Sequence, residues 1–247
     1  MELVLIRAPE EERGKKLHDR AYSALFQLLW KQYGLEKEPL LERDSYGKPY
    51  LKEQAIIFNL SHSRNGFLAI AAGTEREARS VGIDVEWRFP FGKSLARKIL
   101  HPEEAECLQR KWELGEDLAG SYLNRIWSRK EAYLKCIGSG IRSDLSQIRL
   151  DFEGRKGDGK ASEGMSCPDQ ADEKVKETDA GSEGKTGDAE KTETSSLIFL
   201  PVRSSLDLEE TELLAFAFIE VPIENRIFSF WERQTADYTL VICREMP

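Results

Sequence analysis

Two carboxylates stand close together in a stretch that otherwise has the composition of a strand, Val81-Gly-Ile-Asp-Val-Glu-Trp87. Side chains alternate between the two faces of a strand, so the Val and Ile residues of this stretch share one face. Asp84 and Glu86 share the other face, about 7 Å apart by strand rise. Like charges this close repel each other, so the pair needs either exposure to solvent or a cation held between its members.

A second pair of charged residues, Glu131 and Lys135, lies in Trp127-Ser-Arg-Lys-Glu-Ala-Tyr-Leu-Lys135, and its spacing places both on one helix face. An exposed Glu–Lys pair of this kind is common and stabilises a helix by about 0.3–0.5 kcal/mol. A third carboxylate beside Asp84 and Glu86 would instead complete an all-oxygen pocket of the kind that Mg²⁺ prefers. Lys135 would then neutralise charge on a leaving phosphate. The residues alone leave both interpretations open.

Asn59-Leu-Ser-His-Ser63 is a polar cluster between two apolar runs. It is either a turn in which these side chains cap backbone groups or a site in which Ser61 and His62 donate to a phosphate. The sequence contains no GxSxG elbow of a serine hydrolase, no GxxxxGK[ST] or GxGxxG phosphate loop and no HExxH. With three histidines in the chain, a histidine-rich metal site is not expected.

The order of helices and strands predicts an α+β fold rather than a βαβ winding. Helices are predicted from about Pro9 and Glu10–Glu12 to Tyr33, over 92–100, from His101 onward, and from about 118 to 137 with a stop at Gly138. Strands are predicted at 2–6, 55–60, 66–72, 80–87, 197–201, 213–221, 227–232 and 238–243, and near 147–152.

Composition indicates a soluble protein of a reducing compartment. Hydrophobic residues make up 40% of the chain, and no apolar run is long enough to span a membrane. The first residues lack the basic start and apolar middle of a signal peptide. The four cysteines (Cys107, Cys136, Cys167 and Cys243) form no CxxC pair, which favours free thiols over disulfides or a zinc site. We therefore expect a cytoplasmic protein.

The net charge of −8 is concentrated in one polar segment. Residues 151–196 contain 13 of the 44 acidic residues and 7 of the 36 basic ones, so the rest of the chain is close to neutral. An acidic chain is not expected to bind nucleic acid in general. The segment 153–196 is predicted to be a disordered insertion, because it has too little apolar surface to offset the entropy of ordering.

Four motifs occur in a specific order: Gly47-Lys-Pro49, Asn59-Leu-Ser-His-Ser63, Gly82-Ile-Asp-Val-Glu86 and Trp127-Ser-Arg-Lys-Glu-Ala-Tyr-Leu-Lys135. With these motifs, over about residues 45–150, the chain resembles the 4′-phosphopantetheinyl transferases of the surfactin-synthetase-activator type. That resemblance implies a Mg²⁺-dependent enzyme that moves the phosphopantetheine arm of coenzyme A onto a serine of an apo acyl or peptidyl carrier protein. Adenosine 3′,5′-bisphosphate is the implied leaving product.

The resemblance also implies how the α+β fold is arranged. Two similar halves, each a helix with an antiparallel sheet, would be related by a pseudo-twofold axis, with the active site in the cleft between them. The halves would be residues 1–82 and 83–247. A monomer would suffice, because one chain supplies both sides of the cleft.

The family's metal and catalytic residues carry over by motif. Asp84, Glu86 and Glu131 are implied as the Mg²⁺ ligands, which would explain the paired strand carboxylates. Lys135 would stabilise the leaving phosphate. Glu131 is the preferred base for the carrier serine, and a metal-bound water relayed through Asp84 is the alternative. Lys130 belongs to the same motif and is expected to be solvated at the surface.

Recognition of the nucleotide and of the carrier is implied less fully. His62 with Ser61 would hold the nucleotide phosphates, and Lys48 would line the adenine pocket. The basic residues that grip the 3′-phosphate match by position alone: Lys15, Lys16 and Arg20. An acidic carrier helix would dock on the 92–100 helix, unless that helix is simply a solvated basic face. The contacts would be Arg88, Phe89, Phe91, Lys93, Leu95, Arg97 and Lys98.

Two other functions fit the same residues. One is a Mg²⁺-dependent phosphodiesterase or nucleotide hydrolase that uses water as the nucleophile. The other is a non-catalytic carrier-binding protein, although such a protein would not need the full set of charged residues.

Overall fold

The computed structural model of the chain describes residues 1–8, 14–35, 37, 39–52, 55–140, 144–151, 198–199, 217–223 and 225–247. These residues belong to one unit, Met1–Asp151 with Leu197–Pro247. The second unit, Phe152–Ser196, lies outside the described residues, and so does the predicted disordered segment 153–196.

Four α-helices and a short 3₁₀ helix are present in the described part of the chain. They are α1 (Lys15–Tyr33), α2 (Lys93–Ile99), α3 (Pro102–Leu114), α4 (Glu116–Ile137) and the 3₁₀ helix Leu145–Gln147. The strands are β1 (Glu2–Arg7), β2 (Leu41–Arg43), β3 (Pro49–Leu51), β4 (Ile56–His62), β5 (Phe67–Thr74), β6 (Ser80–Trp87), β7 (Ile198–Phe199), β8 (Ala217–Ile223), β9 (Arg226–Gln234) and β10 (Tyr238–Glu245).

The strands form two four-stranded sheets and one hairpin. The first sheet has the order β4-β5-β1-β7, and the second has the order β6-β10-β9-β8. Every pairing within them is antiparallel except the short pairing of β1 with β7. Strands β2 and β3 pair only with each other among the described residues. Mixed helix and largely antiparallel sheet confirms the predicted α+β class.

Apolar side chains join these sheets and helices into layers. One face of the first sheet packs on the buried stripe of α1, which includes Leu25 and Leu29. Its other face packs on the second sheet, where the apolar residues of β6 meet Ala69 and Ala71 of β5. Helix α4 lies against β6 and β10. The predicted alternation of β6 is therefore confirmed, since Val81, Ile83 and Val85 are all core residues.

Local signals explain where the helices begin and end. Helix α3 begins with Pro102 in its first turn and a capping box between His101 and Glu104. Helix α4 ends at Gly138, which adopts a left-handed conformation that glycine tolerates best. None of the helices in the described part of the chain combines the length and apolar composition that crossing a bilayer requires.

Helix α1 begins at Lys15, after Gly14, whose φ of 57° lies outside the helical range. The predicted start of this helix at Pro9 and Glu10–Glu12 lies outside the described residues. Two other predictions of local structure are corrected. The polar cluster at Asn59 is not a turn, since β4 continues to His62. No strand forms at 147–152 in the described residues, because the amides of Leu150 and Asp151 donate to Glu104 Oε1 instead of to a neighbouring strand.

Candidate active site

The candidate site forms where α4 crosses β6. The two elements approach closely at Gly82: a Cβ atom there would lie 2.0 Å from the carbonyl oxygen of Ala132 and 2.3 Å from the amide of Cys136. Any larger residue would push the helix away. Glycine at this position therefore lets the face of α4 that carries Glu131 and Lys135 reach the face of β6 that carries Asp84.

Asp84 is buried and held by two neighbours. Its Oδ1 atom lies 2.7 Å from Lys135 Nζ and accepts a hydrogen bond from Ser61 Oγ at 3.2 Å. Lys135 also donates to Ser61 Oγ at 2.9 Å. The structure thus brings together three of the predicted site residues, from strands β4 and β6 and helix α4.

The other two predicted carboxylates lie next to this group. Burial and the charge of Asp84 raise the pKa of Glu86 to about 7, although Glu86 accepts a hydrogen bond from Trp127 Nε1 at 3.4 Å. Burial and Asp84 also raise the pKa of Glu131 above its ordinary value. All three carboxyl groups therefore repel one another in a site that is largely withdrawn from water.

Two buried carboxylate oxygens at this site lack a hydrogen-bond partner among the described residues, Asp84 Oδ2 and Glu131 Oε1. Unpaired buried oxygens beside mutually repelling carboxylates fit the donor chemistry of a hard divalent cation. Within the described ranges, no three His, Cys, Asp or Glu side chains are already grouped as a metal-binding cluster.

His62 and Ser61 lie on opposite faces of β4. The Ser61 side chain turns inward to Asp84, whereas His62 is partly exposed and lines a cavity of about 1040 Å³. Partial burial and nearby Lys135 hold the pKa of His62 below its ordinary value. The cavity wall also includes Glu86 and Trp127, so this open space adjoins the carboxylate site.

Lys48 lies at the end of the turn between β2 and β3. Its ammonium group donates to Ser80 Oγ at 2.9 Å, to the carbonyl of Val81 at 3.1 Å and to that of Cys136 at 3.0 Å. Burial lowers the pKa of Lys48, because removal from water disfavours the charged form. The ammonium group therefore joins the hairpin to the beginning of β6 and the last turn of α4.

The predicted carrier-docking residues differ in their exposure and contacts. Lys93, Arg97 and Lys98 are exposed on α2. Phe91 instead packs against Trp112, with ring centroids 4.8 Å apart. The remaining apolar candidates line the cavity: Phe89 and Leu95.

The prediction for Lys130 is wrong, and the role of Trp127 was missed. Lys130 has no exposed surface, because its ammonium group is paired with Glu104 at 2.5 Å and donates to the carbonyls of Ile99 and Leu145. Trp127 precedes Glu131 by four residues, as Glu131 precedes Lys135. That spacing on one helix face was the available signal for its contact with Glu86.

Comparison with known proteins shows what the segment that carries this site is similar to. A model of the 4′-phosphopantetheinyl transferase superfamily matches residues 80–170, which include Asp84, Glu86, Glu131 and Lys135. The 4′-phosphopantetheinyl transferase Sfp of Bacillus subtilis strain 168 is 30% identical over 129 residues. The segment 80–170 of this chain is thus similar to that superfamily. Another relative, the 4′-phosphopantetheinyl transferase HetI of Nostoc sp., is 38% identical over 113 residues.

The likeness to these transferases covers part of each protein. The alignment with Sfp covers 51% of this chain and 54% of Sfp, and that with HetI covers 43% and 44%. The chain therefore spans about half the length of the curated phosphopantetheinyl transferases that it matches. Lys48, Ser61 and His62 precede the segment matched by the superfamily model.

Proposed function

We propose that this chain transfers the 4′-phosphopantetheine group of coenzyme A to a serine of an apo acyl or peptidyl carrier protein and releases adenosine 3′,5′-bisphosphate. The observation that carries the proposal is the contact of Lys135 with Asp84, 2.7 Å apart, within the segment that matches the superfamily. A phosphate-neutralising cation beside buried carboxylates suits transfer of a phosphoryl group.

The three carboxylates form the metal site of this proposal. Asp84, Glu86 and Glu131 would hold Mg²⁺, which when bound supplies positive charge at the pyrophosphate of coenzyme A. The partnerless oxygens of Asp84 and Glu131 and the raised pKa values of Glu86 and Glu131 support this assignment. A bound cation would remove the mutual repulsion of the three groups.

Glu131 and Lys135 act on different groups in the transfer step. The serine oxygen of the carrier forms a bond to the β-phosphorus of coenzyme A, and the bond from that phosphorus to the bridging oxygen breaks. Glu131 takes the serine proton. Lys135 neutralises the α-phosphate as it leaves.

Nucleotide and carrier binding complete the proposal. His62, at the cavity, would contact the phosphates. The hydrocarbon part of Lys48 would line the adenine pocket, while its ammonium group stays on the protein. The exposed cations of α2 would attract an acidic carrier helix, with Phe89 and Leu95 as apolar contacts.

We infer further that the first sheet with α1 and the second sheet with α4 are the two related halves of a monomer, with the active site between them. Each is a four-stranded sheet covered by a helix, which supports a pseudo-twofold relation. The predicted boundary between residues 82 and 83 falls inside β6.

Intact-mass spectrometry of apo carrier proteins tests the function. The carrier is incubated with this protein, coenzyme A and Mg²⁺, and is expected to gain the mass of one phosphopantetheine group. EDTA and the substitution Glu131→Gln should each abolish the gain. Glu106→Gln, at an exposed carboxylate of α3, is the matched control and should retain it.

Other results would lead to other functions. If fatty-acid and peptide-synthetase carriers both stay unmodified while coenzyme A is cleaved, the chain is a hydrolase. If coenzyme A stays intact and the carrier binds without modification, the chain is a carrier-binding protein.

A further inference from the structure

Strand β4 holds β6 through its side chains rather than through its backbone. Asn59 Oδ1 accepts a hydrogen bond from the amide of Ile83 at 2.9 Å, and Ser61 Oγ accepts one from the amide of Val85 at 3.4 Å. Asn59 and Ser61 are two residues apart, on one face of β4, and both are buried. The two amides that they hold belong to the residues on either side of Asp84.

The hydroxyl group of Ser61 has no hydrogen-bonding capacity left over. A serine hydroxyl donates one hydrogen bond and accepts two. The hydrogen of Ser61 is donated to Asp84 Oδ1, and its two lone pairs accept from Lys135 Nζ and from the amide of Val85. A phosphate oxygen needs a donor, so Ser61 could bind one only by releasing Asp84.

We propose that Ser61 and Asn59 are positioning residues, which hold Asp84 and Lys135 in place for the reaction, and that neither contacts the nucleotide. This inference rests on the transferase function proposed above and revises the role that the sequence suggests for Ser61. Contact with the phosphates belongs to His62, which lies next to Ser61 on the opposite, open face of β4. Adjacent residues of one strand thus have separate tasks.

Coenzyme A and 3′-dephospho-coenzyme A distinguish the two roles. The affinity of each ligand is measured by isothermal titration calorimetry, and kcat and KM are measured for transfer to an apo carrier protein. In Ser61→Ala and Asn59→Ala, kcat should fall by roughly 10–100-fold, the usual effect of losing a residue that orients a site. The affinity ratio, which is the affinity for coenzyme A divided by that for 3′-dephospho-coenzyme A, should stay as in the wild type.

His62→Ala is the matched control, and it should lower the affinity ratio. Ser61→Thr keeps the hydroxyl group and should recover much of the kcat lost in Ser61→Ala. The inference is overturned if Ser61→Ala lowers the affinity ratio as His62→Ala does while kcat is retained. It is equally overturned if Ser61→Thr is no better than Ser61→Ala in a folded protein.

A double-mutant cycle tests the inference without any substrate. Urea midpoints are measured for Ser61→Ala, for Asp84→Ala and for the double variant. If Ser61 holds Asp84, the two shifts should not add, because each substitution removes the same contact. Additive shifts would overturn the inference even if transfer is observed. Non-additive shifts in a chain that modifies no carrier would refute the transferase proposal and leave the contact established.

Discussion

Lys130 and Glu104 form an ion pair in which neither side chain has any exposure to solvent. The Glu104 carboxylate also accepts the amides of Leu150 and Asp151 and closes the capping box of α3. One carboxylate therefore joins α3, α4 and the segment that follows the 3₁₀ helix. Lys130 immediately precedes Glu131, so this pair also fixes the part of α4 that carries the proposed base.

Breaking the pair should cost much of the stability of the chain. Lys130→Met leaves Glu104 charged, buried and without its cation, which is expected to lower the free energy of unfolding by about 3–5 kcal/mol. Urea denaturation measures the loss. Lys98→Met, at an exposed lysine of α2, should change stability by about 0.5 kcal/mol or less. A loss for Lys130→Met no larger than that of the control would contradict the buried pair.

Gly82→Ala should displace α4. The new methyl group would lie 2.0 Å from a backbone carbonyl oxygen, and backbone cannot move aside as the end of a side chain can. We expect a loss of about 3 kcal/mol or more, together with loss of transfer to the carrier. Thermal unfolding and the mass assay report the two effects.

Gly120→Ala is the comparison for that substitution, since Gly120, which lies on α4, is also buried. A Cβ atom there would meet Phe91 at an ordinary distance of 3.8 Å. Alanine should stabilise this helix position by about 0.5–1 kcal/mol. Equal effects at the two glycines would mean that β6 and α4 do not approach as described.

The pair of Arg129 with Glu232 should make stability depend on pH. Burial alone would raise the pKa of Glu232, but two hydrogen bonds from Arg129, at 2.7 and 2.6 Å, hold that pKa below its ordinary value of about 4.5. A carboxyl group whose pKa is lowered by folding stabilises the protein above its unfolded pKa, and that contribution is lost as the pH falls through the folded pKa.

Glu232→Gln should therefore be less stable than the wild type at pH 7, by about 1.5–3 kcal/mol. The difference should shrink once the pH falls below about 4.5, as the wild type must protonate Glu232 on unfolding. Denaturation curves at several pH values between 7 and 3 measure it. A difference that stays constant over this range would show that Glu232 does not titrate with unfolding.

Lys48→Met distinguishes a structural role of the Lys48 ammonium group from a role in ligand binding. Methionine keeps most of the hydrocarbon chain but loses the three hydrogen bonds of the ammonium group, so stability should fall by about 1–3 kcal/mol. The affinity for coenzyme A should be nearly unchanged. Lys52→Met removes an exposed ion pair with Glu42 and should have little effect. A large loss of affinity at unchanged stability would assign the ammonium group to the nucleotide.

Local patterns predicted the elements that carry the site better than they predicted its contacts. Strand β6 has the predicted bounds, because the alternation of its side chains matches a sheet with one apolar face. The end of α4 at Gly138 follows from the conformational freedom of glycine. Each of these features depends on a few neighbouring residues.

Contacts between residues distant in sequence could not be predicted in this way. Lysine is rarely buried without a partner, and nothing near Lys130 in the sequence identifies Glu104 as its partner. The predicted strand at 147–152 failed for the same reason, since its amides bond to a side chain of α3. Ser61 lies in a recognisable motif, but the motif does not distinguish a hydrogen bond to Asp84 from a hydrogen bond to a ligand.

Strands β4 and β6 are each the outermost strand on one side of their sheets in the described part of the chain. An outermost strand normally offers free amides to which a strand of another molecule can add. At β6 two of these amides, from Ile83 and Val85, are already bonded to Asn59 and Ser61. The side chains that orient Asp84 thereby also protect this edge from strand addition, because they occupy amides to which an added strand would bind.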